Sequence, residues 1–384
     1  MRSRVVVVAI VLILASAAGA EPQLQVYEGR YYVIHTDLTG DELREAELRM
    51  TKMAEEYRNR TRDFSGTVGH KFPFFLYREP DDYYAAGGIK GSAGYFDPNN
   101  DTLMAIAGEK TGSSTWYVIQ HEGFHQFARA VIGGELPIWV NEGLADYFGE
   151  GVFTGDGFVT GVIPQKRLER VRDSLKNKQL KSVKAMMLMS HAAWNKDLKQ
   201  ENYDQAWSMV QFLAHGENGK YQPAFGAFMR TIGTGQQWDR AWATSFGSAE
   251  GFEEKWKKFW LALPDNPTAD LYAKAIVQTL TGALGRATAQ RMKFSSFDAL
   301  AAAVEKGEFK PAANDWVPPR LVISMFAAAK RMQAEGTTFE LFPTSGARPA
   351  MINCKLKDGT KLTGKFVLRQ GQVAEVVVEG VAKR

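Results

Sequence analysis

The stretch "IQHEGFHQFA", residues 119–128, decides how this chain is read. His121 and His125 are four residues apart, which on a helix sets the two imidazoles about 40° apart on one face. Two rings so placed converge on a single ion. Glu122 stands beside that face, where it can hold a water next to the ion without entering its shell. The pattern HExxH on a helix is the zinc-hydrolase arrangement for this reason. The flanks are helical in pattern. Val118, Phe124, Phe127, Ala128 and Val131 form an apolar side, Ser114 is a candidate cap, and Gly133 with Gly134 is a candidate stop. Gly123 is out of place, because glycine inside a helix costs about 1 kcal/mol relative to alanine. It implies close approach of another segment, expected to be the helix that carries the next ligand.

A catalytic zinc takes three protein ligands and keeps a fourth position open. Downstream, "LPIWVNEGLADYFGEG" (136–151) reads as a second helix opened near Pro137 and stopped by Gly149. A short turn between the two helices lets Glu142 face the histidines as third ligand, with Glu135 as the alternative. Asp146, four residues after Glu142, shares its face and can accept the outer N–H of a ligating histidine.

With HEGFH, Glu142 and "WVNEGLADYF" in place, the chain resembles the gluzincin metallopeptidases, in particular the peptidase-MA-like bacterial domains of thermolysin type. The resemblance runs over about residues 25 to 263, taking in Trp139 and "YDQAWSMVQFL" (203–213). It implies that His121, His125 and Glu142 bind one zinc ion per chain, that Glu122 is the general base, and that Asp146 supports a histidine. Such peptidases add a tyrosine or histidine from a later segment to stabilise the oxyanion. Tyr203 is the matching candidate, with His191, His215 and Tyr147 as alternatives. A substrate strand also commonly adds to a sheet edge beside the zinc, and Thr102 to Ala107 is the nearest candidate edge.

The rest of the chain is consistent with a globular protein: 384 residues, 45% hydrophobic and 23% charged. Its first twenty residues, "MRSRVVVVAIVLILASAAGA", have the layout of a secretory signal cleaved after Ala20, and the apolar run is too short to span a bilayer. Export to a periplasm or outside the cell is therefore expected, with no membrane span after cleavage. Losing Arg2 and Arg4 lowers the net charge from +4 to +2, which does not favour a nucleic-acid role. The basic stretch "QKRLERVRDSLKNKQLKSVK" (165–184) reads as a solvated helix face. Cys354 is the only cysteine, which excludes an internal disulfide and thiolate zinc sites.

The expected class is α+β, a zincin-like core with extensions. Residues 21–110 read as a small α/β subdomain and 111–264 as the helical zinc-binding subdomain. Residues 265–335 read as a helical extension and 336–384 as a small β-strand domain. In the first, "RYYVIHT" (30–36) and "FPFFLY" (72–77) are extended, Asp41 to Arg62 is helical, and 94–108 is a hairpin turning at Pro98, Asn99 and Asn100. Further helices are expected at 203–215, 224–232, Ala273 to Arg291 and Pro319 to Met332. A hairpin about Asp358 and Gly359 and a strand at 372–380 follow. Met186, Met187 and Met189 read as core filler, and Trp256 with Trp260 as helix packing. The expected function is hydrolysis of a peptide or protein substrate by a water activated by zinc and Glu122. The alternatives are a catalytically silent zinc-containing scaffold, whose C-terminal strands would meet an unknown partner, or a zinc hydrolase of a non-peptide bond.

Overall fold

The computed structural model describes residues 24–107, 113–133, 135–344 and 349–380; residues 1–20, expected to be a secretory signal, and Gly134 lie outside them. The period-two stretches form a mixed sheet. In chain order come β1 (Gln25–Glu28), β2 (Tyr32–Thr36), α1 (Gly40–Thr61), β3 (Phe72–Tyr77), the short helix α2 (Pro80–Ala85), β4 (Gly94–Asp97) and β5 (Thr102–Ile106). Across the sheet the order is β1, β2, β3, β5, β4. The three central strands are parallel, and each outer strand is antiparallel to its neighbour. Ile34, Phe74 and Leu103 stand side by side in register and are fully buried.

The sheet edges are therefore β1 and β4, and the 102–107 stretch expected at the edge is interior, with β4 outside it. Burial explains the order. Leu103, Met104 and Ala105 are consecutive buried residues, as a strand covered on both faces requires, whereas Tyr95 and Asp97 of β4 are only partly covered.

The next segment supplies α3 (Ser113–Val131), α4 (Ile138–Gly149), the two-stranded β6 (Val152–Phe153) and β7 (Phe158–Val159), then α5 (Gln165–Lys176), α6 (Val183–Met187), α7 (His191–Lys196), α8 (Gln200–Gly219), α9 (Gln222–Gly233), α10 (Trp238–Phe246) and α11 (Ala249–Ala262). Ser114 falls inside the first turn of α3 rather than capping it. The helix backbone of α8 breaks at Gly216–Asn218. Trp256 and Trp260 are fully buried, and their indole N–H groups donate to the Oγ and the carbonyl of Ser208. Met186 and Met187 are core residues; Met189 is only partly covered.

The remainder comprises α12 (Ala269–Ala289), α13 (Phe297–Glu305), α14 (Pro319–Ala334), β8 (Thr338–Phe342), β9 (Met351–Lys355), β10 (Lys361–Arg369) and β11 (Gln372–Glu379). The strands form one antiparallel sheet, β11, β10, β9, β8. Helix α13, capped by Ser296, lies between the two helices expected in this extension and is not among them. The sheet packs on α12 at a glycine-cleared seam: a side chain at Gly285 would meet Phe366 and Val373, and one at Gly364 would meet Thr281. In all, fourteen helices and three sheets stand among the described residues, an α+β arrangement. No helix among them is long and apolar enough to cross a membrane.

Helix α3 is fixed at several polar points along its length. The Tyr57 hydroxyl of α1 donates to the Gln120 carbonyl, and the Tyr57 ring packs on Phe124, Phe127 and Phe148. The Gln120 amide donates to the carbonyls of Phe148, Gly149 and Gly151 at 2.9–3.1 Å, satisfying groups at the end of α4. The Gln126 amide donates to the Pro73 and Asp101 carbonyls at 3.0 and 2.8 Å, tying α3 to β3 and the β4–β5 turn.

The Gly123 expectation is corrected by this packing. A side chain there would meet the Tyr57 hydroxyl at 3.2 Å, with Met50 and Leu103 behind it, so the close neighbours are α1 and β5 rather than the helix of Glu142. The close approach on α4 is at Gly143, where an added Cβ would sit 2.6 Å from the Ala206 carbonyl of α8. Backbone cannot yield as a side-chain tip does. Gly143→Ala is therefore expected to lower stability in urea denaturation by about 1–3 kcal/mol, although alanine is the better helix former. Unchanged stability would show that α4 and α8 are free to separate.

Candidate metal centre

The α3–α4 connection brings the two helices face to face, and Glu142 meets the histidines. His121 Nε2 and His125 Nε2 lie 3.2 Å apart, and Glu142 Oε2 lies 3.4 and 3.6 Å from them. One ligand atom from each of the three residues lies within 4.8 Å of the others, the only such group of three among the described residues. Glu135, the alternative third ligand, is exposed and stands 3.8 Å from His191 Nδ1 instead.

The electrostatics favour a cation at this point. Burial opposes charge on His121 and His125, yet hydrogen bonds and charge from Asp146 and Glu142 carry His121 well above the usual imidazole range, and Glu142 raises His125 too. Burial would raise Glu142, but the two imidazoles hold it well below the usual carboxylate range. A proton shared among two nitrogens and one carboxylate oxygen is one way to supply positive charge. A divalent ion is another, and two imidazoles with one carboxylate are a donor set that suits zinc.

Asp146 is 1% exposed, and its Oδ1 lies 2.9 Å from His121 Nδ1. With the proton on Nδ1, His121 turns the lone pair of Nε2 toward the common point. His125 has no such support among the described residues, where its buried Nδ1 has no hydrogen-bond partner. Tyr117 also donates to Asp146 Oδ1, and Arg167 donates to Oδ2. Burial would raise the Asp146 pKa, but Arg167 and His121 lower it.

Arg167 is the exception to the reading of 165–184 as a solvated face, which the other lysines and arginines of the stretch, mostly exposed, otherwise fit. Its side chain is 3% exposed, and the guanidinium lies 4.4 Å over the Trp207 ring. Its stripe was visible in principle, since Arg167 is grouped with Leu168, Val171 and Ser174 on the buried side of α5. The partners Tyr117, Asp204 and Glu150 carried no comparable signal, because each is met only when distant segments fold together.

The donor atoms open on a cleft of about 1130 Å³, lined among others by Tyr95, Phe96, Glu122, Arg129, His191 and Tyr203. Glu122 Oε2 accepts the Phe96 backbone N–H of β4 at 3.1 Å, which orients the carboxylate beside the ligands. Since the Ile106 N–H bonds the Ala93 carbonyl, alternation along β4 turns the backbone groups of Gly94 and Phe96 away from β5. Tyr203, in the first turn of α8, packs edge-on against Trp194 and lines the cleft. Burial and then the Glu142 carboxylate push its phenol pKa up, so its hydroxyl stays protonated. His191 also reaches the cleft, half exposed. Tyr147 and His215 do not line it; they bond each other at 2.9 Å.

A family model described as "Protein of unknown function (DUF1570)" matches residues 116–234, under a third of the chain. The matched segment runs from the first turns of α3 past α9 and includes all three donors with Glu122, Asp146, Arg167 and Tyr203. No curated protein matches the chain.

If these donors hold zinc, wild-type protein loaded and dialysed should retain about one ion per chain, and Glu142→Ala should retain only background by mass-spectrometric metal analysis. Full retention by Glu142→Ala would place the ion elsewhere.

Proposed function

We propose that the chain is a zinc-dependent metallopeptidase of the gluzincin type, acting after export as the pattern of residues 1–20 suggests. The observation that carries this reading is the convergence of His121, His125 and Glu142 on one point, with the Glu122 carboxylate held beside them on an open cleft. A purely structural site would be closed by a fourth protein ligand. Among the described residues no fourth His, Cys, Asp or Glu joins the group.

His121, His125 and Glu142 would hold the metal, which when bound supplies Lewis acidity that polarises a carbonyl and acidifies water. Glu122 keeps one oxygen on the Phe96 N–H, and its other oxygen is the proton acceptor. It takes the proton of water as the water oxygen bonds to the scissile carbonyl carbon. It then gives that proton to the nitrogen as the C–N bond breaks, and the second water proton passes from the new carboxylic acid to the amine, leaving a carboxylate and an ammonium. Tyr203 supports the reaction as a neutral hydroxyl donor to the developing oxyanion.

A peptide is favoured over other acyl substrates by the edge strand. The outward backbone groups of Gly94 and the Phe96 carbonyl of β4 offer an extended chain a ladder beside the donors, whereas an isolated ester or small amide has no use for one.

Glu122→Gln should keep its zinc yet lower cleavage of a denatured-protein library by about 10²–10⁴-fold; cleavage at the wild-type rate would refute the assignment. Tyr203→Phe should lower kcat by about 10²–10³-fold with KM little changed. An unaltered kcat would remove Tyr203 from the reaction.

A further inference from the structure

One buried side chain joins the histidine support to the helix that carries Tyr203. Arg167 Nη2 donates to Asp146 Oδ2 and lies 3.4 Å from the Tyr203 carbonyl. Nη1 lies 3.0 Å from Glu150 Oε1, and Nε lies 2.9 Å from Asp204 Oδ1. Trp207 stacks beneath the guanidinium plane, and Leu168 and Val171 anchor α5 in the core. Tyr117 approaches from the α3 side and donates to Asp146 Oδ1, the oxygen that faces His121.

This arrangement does more than neutralise charge. A lone cation would compensate Asp146 but leave the carboxylate free to turn about its own bond, and with it the ring of His121. A planar fork fixed by stacking addresses carboxylates on two helices at once, which an ammonium group cannot do.

We propose that Arg167, assisted by Tyr117, is a positioning residue for the metal centre. It holds Asp146 in the orientation that presents His121 Nε2 to a divalent cation, and through Asp204 and the Tyr203 carbonyl it sets the first turn of α8 against α4. The inference rests on the metal-centre reading above. It assigns a function to the one strongly basic segment, which net charge and pattern leave without a role.

The test is zinc affinity of the full chain, measured by competition with a chromogenic chelator, for wild type, Arg167→Lys, Arg167→Gln and Tyr117→Phe. Arg286→Lys serves as control. Arg286 is equally enclosed, paired with Asp156 and Asp315, and lies outside the metal cluster, so it reports the generic loss of a buried guanidinium. Arg167→Lys is expected to weaken zinc binding about 10–100-fold, as loss of outer support for a ligating histidine does. Arg167→Gln should be weaker still, while Arg286→Lys stays within about twofold of wild type at a comparable loss of Tm. Should the Arg167 variants fail to fold, Tyr117→Phe, which removes a single hydroxyl, is expected to weaken zinc binding several-fold. Wild-type affinity in a folded Arg167→Lys or in Tyr117→Phe, or an equal loss in Arg286→Lys, overturns the proposal. Absence of stoichiometric zinc binding by wild type overturns the metal-centre reading itself, and this inference with it.

Discussion

Asp146 is a carboxylate with almost no access to water, and much of the central architecture follows from keeping it charged there. An ionised carboxylate taken out of water is tolerated only when every lone pair has a donor and a counter-charge is close. Here the donors come from two helices besides its own, His121 and Tyr117 from α3 and Arg167 from α5, while α8 stands behind Arg167 through Asp204. Three helices meet to satisfy that single group, and a fourth backs the guanidinium that serves it. The same meeting brings Glu142, one turn before Asp146, against the two histidines of α3. The geometry of the donor cluster is thus a consequence of satisfying the residue next to it.

Parts of this were legible in the sequence because they are local. Two histidines four apart on one helix, a glutamate on the following helix, and an aspartate one turn later all obey helical periodicity, and a short connection leaves few ways to place two such helices. The strands at 32–36 and 72–77 were legible for the same reason, as was the turn at 98–101. What was not legible is who stands beside whom. The pattern of β5 shows a strand but not its place in the sheet, so the edge was assigned one strand too far inward. Gly123 signals that something approaches, yet only the fold identifies the Tyr57 hydroxyl. Arg167 sits in a run of lysines and arginines that are otherwise mostly exposed, and its partners lie one to three helices away along the chain, on α4, α3 and α8.

The C-terminal third is joined to this centre through structure rather than through donor groups. Arg286 of α12 bridges Asp156, in the β6–β7 turn, and Asp315 ahead of α14, so it fastens the ribbon that follows α4 to the extension. Gly285 makes room for the Phe366 and Val373 side chains of the small sheet, and Gly364 for Thr281 and Val277 of α12, so the sheet seats closely on the same helix. The carbonyls at the end of α4 are held separately, by the Gln120 amide of α3, so the donor cluster does not depend on that fastening.

The Phe96 N–H bonded to Glu122 ties the remaining two requirements of the proposed chemistry together. The base must stand beside the donors, and a bound chain must lie at a fixed depth in the cleft. In this fold one strand serves both ends, since β4 orients the carboxylate with one backbone group and offers its neighbours outward along the same edge. A substrate strand aligned on β4 would then share a frame with the base, and its register would be set relative to Glu122 without any side-chain contact. Side chains elsewhere in the cleft would then be left to select among sequences, and the reacting geometry would not depend on which one is chosen.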